Sequence, residues 1–153
     1  MLNTVYIALG SNIGDRQSNL DQAIRLLGSY EDTEIVAVSS YLNNPAVADT
    51  YQPDYLNAAI EVRTLLSLRE LFAITLDIER QLGRQSKGTS DPRTIDLDIL
   101  LFNDLILSDD DLVVPHPLMQ DRVFVLKPLC ELIPDGIHPI LNESMQALYD
   151  KIK

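Results

Sequence analysis

The sequence predicts an α+β fold, an antiparallel sheet with helices packed on it. Two observations carry this. Segments with the apolar alternation of strands recur through the first hundred residues, and two segments with helical apolar spacing lie between them. The resulting order is strand, helix, strand, strand, helix, strand, the split βαβ or ferredoxin-like arrangement, with the helices expected on one face of the sheet. A C-terminal helical extension follows. Such a fold hosts many functions, so function has to be read from individual residues.

The elements follow in order. Thr4 to Leu9 alternates and reads as a strand, and Gly10-Ser11-Asn12-Ile13-Gly14-Asp15 reads as a turn-rich loop. Leu20, Ala23, Ile24 and Leu27 share one face of a helix ending near Gly28. Thr33 to Tyr41 is a second strand, followed by a polar loop from Asn43 to Asp54 and a third strand from Tyr55 to Thr64. Ser67 and Glu70 form a capping box ahead of Leu68, Leu71, Phe72, Thr75, Ile78 and Leu82, a helical stripe that stops at Gly83. Gln85 to Asp91 has no apolar residue. The fourth strand spans Thr94 to Phe102. The tail holds short strands or turns near Leu105 and Val113, a short helix after Pro117 and a last helix from about Glu143.

The length of 153 residues suits one domain, residues 1–153, with a real core. Twelve basic against 23 acidic residues give a net charge of −11, which argues against a nucleic-acid or anionic-membrane surface. A polyanion would have to be held by local cations and metal. The lone Cys130 excludes an intrachain disulfide and reads as a small buried residue. No apolar run near the start is long enough to span a bilayer, so the cytoplasm is the expected location.

The chemistry concentrates in Pro92-Arg93-Thr94-Ile95-Asp96-Leu97-Asp98-Ile99-Leu100. Side chains alternate on a strand, so Asp96 and Asp98 share a face. Two like charges on an apolar strand call for a cation, and a hard divalent metal bridging phosphates is the common solution. The alternative is a solvated edge strand with two surface acids. Arg84 and Arg93 bracket the polar segment that contains Lys87, a combination that suits a lid over a polyphosphate. Tyr55 and Asn57 alternate onto one face, an aromatic and an amide able to grip a flat heterocycle; a core tyrosine and a strand-end asparagine would look the same. Pro115-His116-Pro117 fixes a histidine in a stiff loop, with Arg122 and Phe124 close behind. His138 looks structural. There is no Walker motif and no zinc-type spacing.

Together these segments resemble the 6-hydroxymethyl-7,8-dihydropterin pyrophosphokinases of folate synthesis. The resemblance runs from Tyr6-Ile7-Ala8-Leu9-Gly10-Ser11-Asn12 through Gln52-Pro53-Asp54-Tyr55-Leu56-Asn57, Glu79 to Arg84 and the paired-aspartate stretch, to the His116 loop and about Pro134. It implies transfer of the β,γ-diphosphate of ATP to the hydroxymethyl oxygen of the pterin, giving AMP and the pterin diphosphate. It implies Asp96 and Asp98 as ligands of two Mg²⁺ ions, with Arg84 and Arg93 as catalytic contacts to the polyphosphate. Pterin contacts fall to Tyr55, Phe124 and Asn57 and to the backbone around Asn44, Pro45 and Val47. ATP contacts fall to Glu79, Arg84, Lys87, Arg93, Ile99, His116 and Arg122. A monomer is the expected state, with downstream folate enzymes as candidate partners.

This chain departs from the family pattern in places. Its lid segment lacks tryptophan and has one lysine, Asn44 stands where threonine is usual, Leu76 replaces a polar residue of some members, and Asp111 falls where some have arginine. Two alternatives to the active enzyme follow: a divergent pterin- or nucleotide-binding paralogue that turns over poorly, and a non-enzymatic interaction module.

Overall fold

The computed structural model describes residues 2–45, 53–83 and 94–153. Within them lie β1 (Asn3–Ser11), α1 (Arg16–Gly28), β2 (Thr33–Val38), β3 (Leu42–Asn44), β4 (Tyr55–Thr64), α2 (Leu68–Gln81) and β5 (Asp96–Phe102). Then come β6 (Leu107–Ser108), β7 (Val113–Val114), a 3₁₀ turn (Met119–Asp121), α3 (Val123–Leu132) and α4 (Met145–Asp150). The main sheet runs β2-β4-β1-β5, with β3 also paired to β4 and every pairing antiparallel. β5 is therefore an edge strand, yet only Asp96 and Asp98 of its seven residues are not buried.

The sheet separates two cores. On one face Val5, Ile7 and Leu9 of β1, Ile60 and Val62 of β4, and Leu97 and Ile99 of β5 pack against Leu20 and Leu27 of α1 and Leu71 and Ile78 of α2. On the other, Ala59, Leu100 and Leu101 pack against Val125, Leu126 and Leu129 of α3 and Met145 and Leu148 of α4. Each fully buried Val, Leu, Ile or Met among them contributes about 1.5–3 kcal/mol. Helices thus cover both faces, not the single face expected from the first hundred residues, because α3 and α4 bury the second. A register shift between Tyr6 and Ile7 lets both Leu100 and Leu101 reach that second core.

Other boundaries differ for local reasons. The strand expected over Thr33–Tyr41 breaks after Val38. The Ser39 N–H donates to the Ala59 carbonyl and the Ser39 Oγ accepts the Ala59 N–H, both at 2.9 Å, and Ser40 turns its N–H and hydroxyl to Glu131 of α3. These hydroxyls compete with the ladder. Pairing resumes in β3, whose Asn43 and Asn44 fall in the segment expected to be loop. The acid-bearing strand begins at Asp96 rather than Thr94, and the helix after Pro117 is longer than expected, with Pro128 inside it. α2 has the anticipated Ser67–Glu70 capping box. Asp15 caps α1 by accepting from the Ser18 N–H. Among the described residues no helix is long and apolar enough to cross a membrane. His138 is buried, its Nδ1 accepting from the N–H groups of Ile140 and Leu141, which matches its structural reading. Cys130 is half-buried, and burial pushes its thiol pKa up.

Candidate active site

The site is built on the second face, at one end of the sheet. Gly10 of β1 pairs with Asn57 of β4 on one side and with Asp96 of β5 on the other. In the next same-face row Ala8 pairs with Ala59 and with Asp98. Asn57 and Tyr55 stand on one flank and the two aspartates on the other, while the strand between contributes almost no side chain. The floor is therefore a trough two strand spacings wide, about 10 Å.

Gly10 was expected in a loop; it lies within β1 and makes the trough possible. A Cβ there would meet Asn57 Nδ2 at 3.0 Å and Tyr55 Cδ1 at 3.4 Å. The available signal was a glycine closing an apolar strand, which marks close approach by another group.

Asp96 and Asp98 are both half-buried on one face while Leu97 and Ile99 are buried on the other, as the alternation predicted. Among the described residues no three His, Cys, Asp or Glu side chains converge. The pair therefore does not make a cage by itself. Two hard oxygen donors side by side fit a divalent cation that completes its shell with phosphate oxygens and water. Behind them Glu79 of α2 is only 2% exposed, and its Oε2 accepts the Leu97 N–H at 2.7 Å. This bond ties β5 to α2 at the residue between the two acids.

Asn57 is 7% exposed. Its Oδ1 accepts from Asn44 Nδ2 at 2.8 Å, and its Nδ2 points toward the Leu9 carbonyl at 3.5 Å. Arg16 knits the loops beside it, donating to Asn43 Oδ1 at 2.6 Å and to the Asp54 carbonyl at 2.9 Å. Phe124 packs on the second core in the first turn of α3 with the Arg122 guanidinium 5.6 Å from its ring centre, a cation–π contact.

A cavity of about 260 Å³ opens at the outer edge of β5, lined by Phe72, Leu97, Asp98, Ile99, Asp110, Asp111, Leu112, Val113, His116 and Pro117. The cis Val114–Pro115 bond precedes His116, whose N–H donates to the Leu100 carbonyl at 2.9 Å. Its Nδ1 accepts from the Leu118 N–H at 3.2 Å, so the proton of the neutral ring sits on Nε2. Arg69 of α2 is hydrogen-bonded to Asp109 and, at 2.8 Å, to Asp111 on the β6–β7 turn. That guanidinium holds the Asp111 carboxyl below its usual range. Phe72 and Leu112, read only as helix face and tail, are cavity walls that the linear pattern did not single out.

The structure thus gathers Asn44, Tyr55, Asn57, Asp96, Asp98 and Phe124 on one side of the sheet, and Asp98, Ile99 and His116 around the cavity. Pro45 follows β3. Val47, Arg84, Lys87 and Arg93 lie outside the described residues.

Comparison with known proteins gives the family. Residues 6–134 match the family model of 7,8-dihydro-6-hydroxymethylpterin-pyrophosphokinase (HPPK). The 2-amino-4-hydroxy-6-hydroxymethyldihydropteridine pyrophosphokinase of Bacillus subtilis is 46% identical over 132 residues, covering 86% of this chain and 79% of that protein. The bifunctional protein FolKE of Lactococcus lactis is 43% identical over 132 residues, covering 86% of this chain and 38% of the relative. A crystal structure of an HPPK-DHPS protein in complex with substrates superposes with a TM-score of 0.78 at 13% identity, over 99% of this chain and 43% of that one. The chain therefore spans most of the Bacillus protein and under half of the other two. It belongs to the 7,8-dihydro-6-hydroxymethylpterin-pyrophosphokinase family.

Proposed function

We propose that residues 1–153 form one pyrophosphokinase domain. It transfers the β,γ-diphosphate of ATP to the hydroxymethyl oxygen of 6-hydroxymethyl-7,8-dihydropterin, with AMP and the pterin diphosphate as products. The strand order β2-β4-β1-β5 supports the ferredoxin-like reading of the core, with α3 and α4 as its C-terminal extension.

The observation that carries the proposal is the row Asn57–Gly10–Asp96. An amide that can read a heterocycle's edge and a carboxylate pair stand on one face about 10 Å apart. A fused bicycle laid across Gly10 would reach from one to the other, with its hydroxymethyl group at the acids. Tyr55 and Phe124 offer aromatic faces on that side, and Asn57, helped by the backbone around Asn44, Pro45 and Val47, reads the edge. Asp96 and Asp98 would hold two Mg²⁺ ions. When bound, those ions neutralise the triphosphate and orient the attacking hydroxyl. The cavity receives the nucleotide: Ile99 supplies an apolar wall and His116 an Nε2–H donor, and Arg122 acts as a further ATP contact. Arg84, Lys87 and Arg93 act as polyphosphate contacts. Glu79 serves the ATP site from behind, by fixing Leu97 between the metal ligands. Such a site works by positioning and charge stabilisation.

An assay with the hydroxymethyl dihydropterin, ATP and Mg²⁺ tests this. AMP and the pterin diphosphate are the expected products. ADP would mean an ordinary kinase, and no turnover with retained ligand binding would favour the divergent paralogue.

A further inference from the structure

We infer that Asn44 is a specificity-setting positioning residue: its side-chain amide dictates which way round Asn57 offers its donor and acceptor to the bound heterocycle. This rests on the pterin reading of the trough and adds to it a side chain that orients Asn57.

The inference follows a relay of polarity. The Leu42 carbonyl can only accept, and the Asn44 side chain meets it at 3.2 Å, so that end of the Asn44 amide is its NH₂ group. The same NH₂ faces Asn57 at 2.8 Å, so the Asn57 atom there must be the carbonyl oxygen. The opposite end of Asn57 is then NH₂, and it points toward another obligate acceptor, the Leu9 carbonyl, at 3.5 Å. Two backbone carbonyls thus bracket a two-amide chain and agree on one orientation. Flipping Asn57 would set NH₂ against NH₂ at Asn44 and oxygen against oxygen at Leu9. Asn57 is 7% exposed, so water offers little compensation for either clash. Gly10 keeps the NH₂ end unobstructed, since a Cβ would sit 3.0 Å from it. A heterocycle laid on Gly10 therefore meets one fixed donor–acceptor order. A ligand edge with a ring oxo group and an adjacent N–H is told apart from one whose oxo group is replaced by an amino group.

Asn44→Asp reverses the relay, because a carboxylate repels both the Leu42 carbonyl and Asn57 Oδ1. Asn44→Leu removes it without adding charge. Binding of the hydroxymethyl dihydropterin, of its 4-amino analogue and of a non-hydrolysable ATP analogue would be measured by calorimetry on each variant. The side-chain amide resonances of Asn57 would be followed by NMR. The expected result is a loss of about tenfold in affinity for the oxo pterin and a similar loss of discrimination against the amino analogue, the effect of one mispaired hydrogen bond. The Asn57 resonances should shift, ATP-analogue affinity should hold, and Asn44→Thr, which keeps a donor, should recover part of the loss. Unchanged discrimination in both Asn44→Asp and Asn44→Leu would overturn the inference, as would an equal loss of ATP-analogue affinity. If the wild-type protein bound no pterin while its Asn57 resonances still responded to Asn44→Asp, the ligand reading would fail and the relay would stand.

Discussion

The two flanks of the trough solve opposite problems. On the β4 flank, Asn57, Asn44, Asn43 and Arg16 bond to one another or to backbone carbonyls, so these side chains are already partnered before any ligand arrives. On the β5 flank, Asp96 and Asp98 stand together, and the adjoining cavity adds Asp110 and Asp111. Among the described residues, Arg69 is a cation bonded to this acidic rim, through Asp109 and Asp111. On the proposed reading, the heterocycle end is held by hydrogen bonds within the fold, whereas the triphosphate end also takes divalent cations that come with the substrate. Binding on the first flank should be insensitive to metal, and binding on the second should depend on it.

The largest expected effect is on the second flank. Asp98→Asn should lower kcat by about three orders of magnitude or more, because a metal ligand contributes several kcal/mol of charge stabilisation in phosphoryl transfer. Pterin affinity and melting temperature should change little. Quench-flow measurement of AMP at saturating Mg²⁺ checks this, and near-normal turnover would remove the metal role from the strand. Next comes Tyr55→Ala, which should weaken pterin binding about ten- to a hundredfold through lost stacking. ATP binding should be spared in a calorimetric titration, and an equal fall in both would erase the distinction between the flanks. Gly10→Ala should cost about tenfold in pterin affinity, because the new methyl group crowds Asn57 at 3.0 Å. A crystal structure of that variant should show the Asn57 amide displaced. The smallest effect is expected from Arg69→Met. Its ion pairs are exposed, so freeing Asp109 and Asp111 should raise the KM for ATP only about two- to threefold. The increase should fade at high salt, and a salt-independent increase would point to a moved cavity wall instead.

Some of this architecture was legible in the residues and some was not. The shared face of Asp96 and Asp98 follows from a period of two and needed no knowledge of neighbours. The Ser67 capping box is equally local. What local pattern could not reveal depends on contacts across the chain. Gly10 looked like a turn residue because glycine usually marks turns; its role comes from side chains 45 and 47 positions away that lie over it. β3 was hidden because Ser39 and Ser40 bond to Ala59 and Glu131, interrupting an otherwise continuous strand. Glu79 read as a group at the ATP site, and its burial against Leu97 becomes visible only once α2 is laid beside β5. The two C-terminal helices were expected, but their packing on the second face was not, because it rests on contacts of Ala59, Leu100 and Leu101 with residues far along the chain.

The dependence of the β5 flank on imported cations is tested most directly by counting bound Mn²⁺ in the presence of a non-hydrolysable ATP analogue, using electron paramagnetic resonance. The wild-type protein should bind two ions per chain with the analogue present. The Asp96→Asn/Asp98→Asn double variant should bind no more Mn²⁺ than the free nucleotide does, with pterin affinity intact. Equal Mn²⁺ stoichiometry in the two proteins would contradict the account.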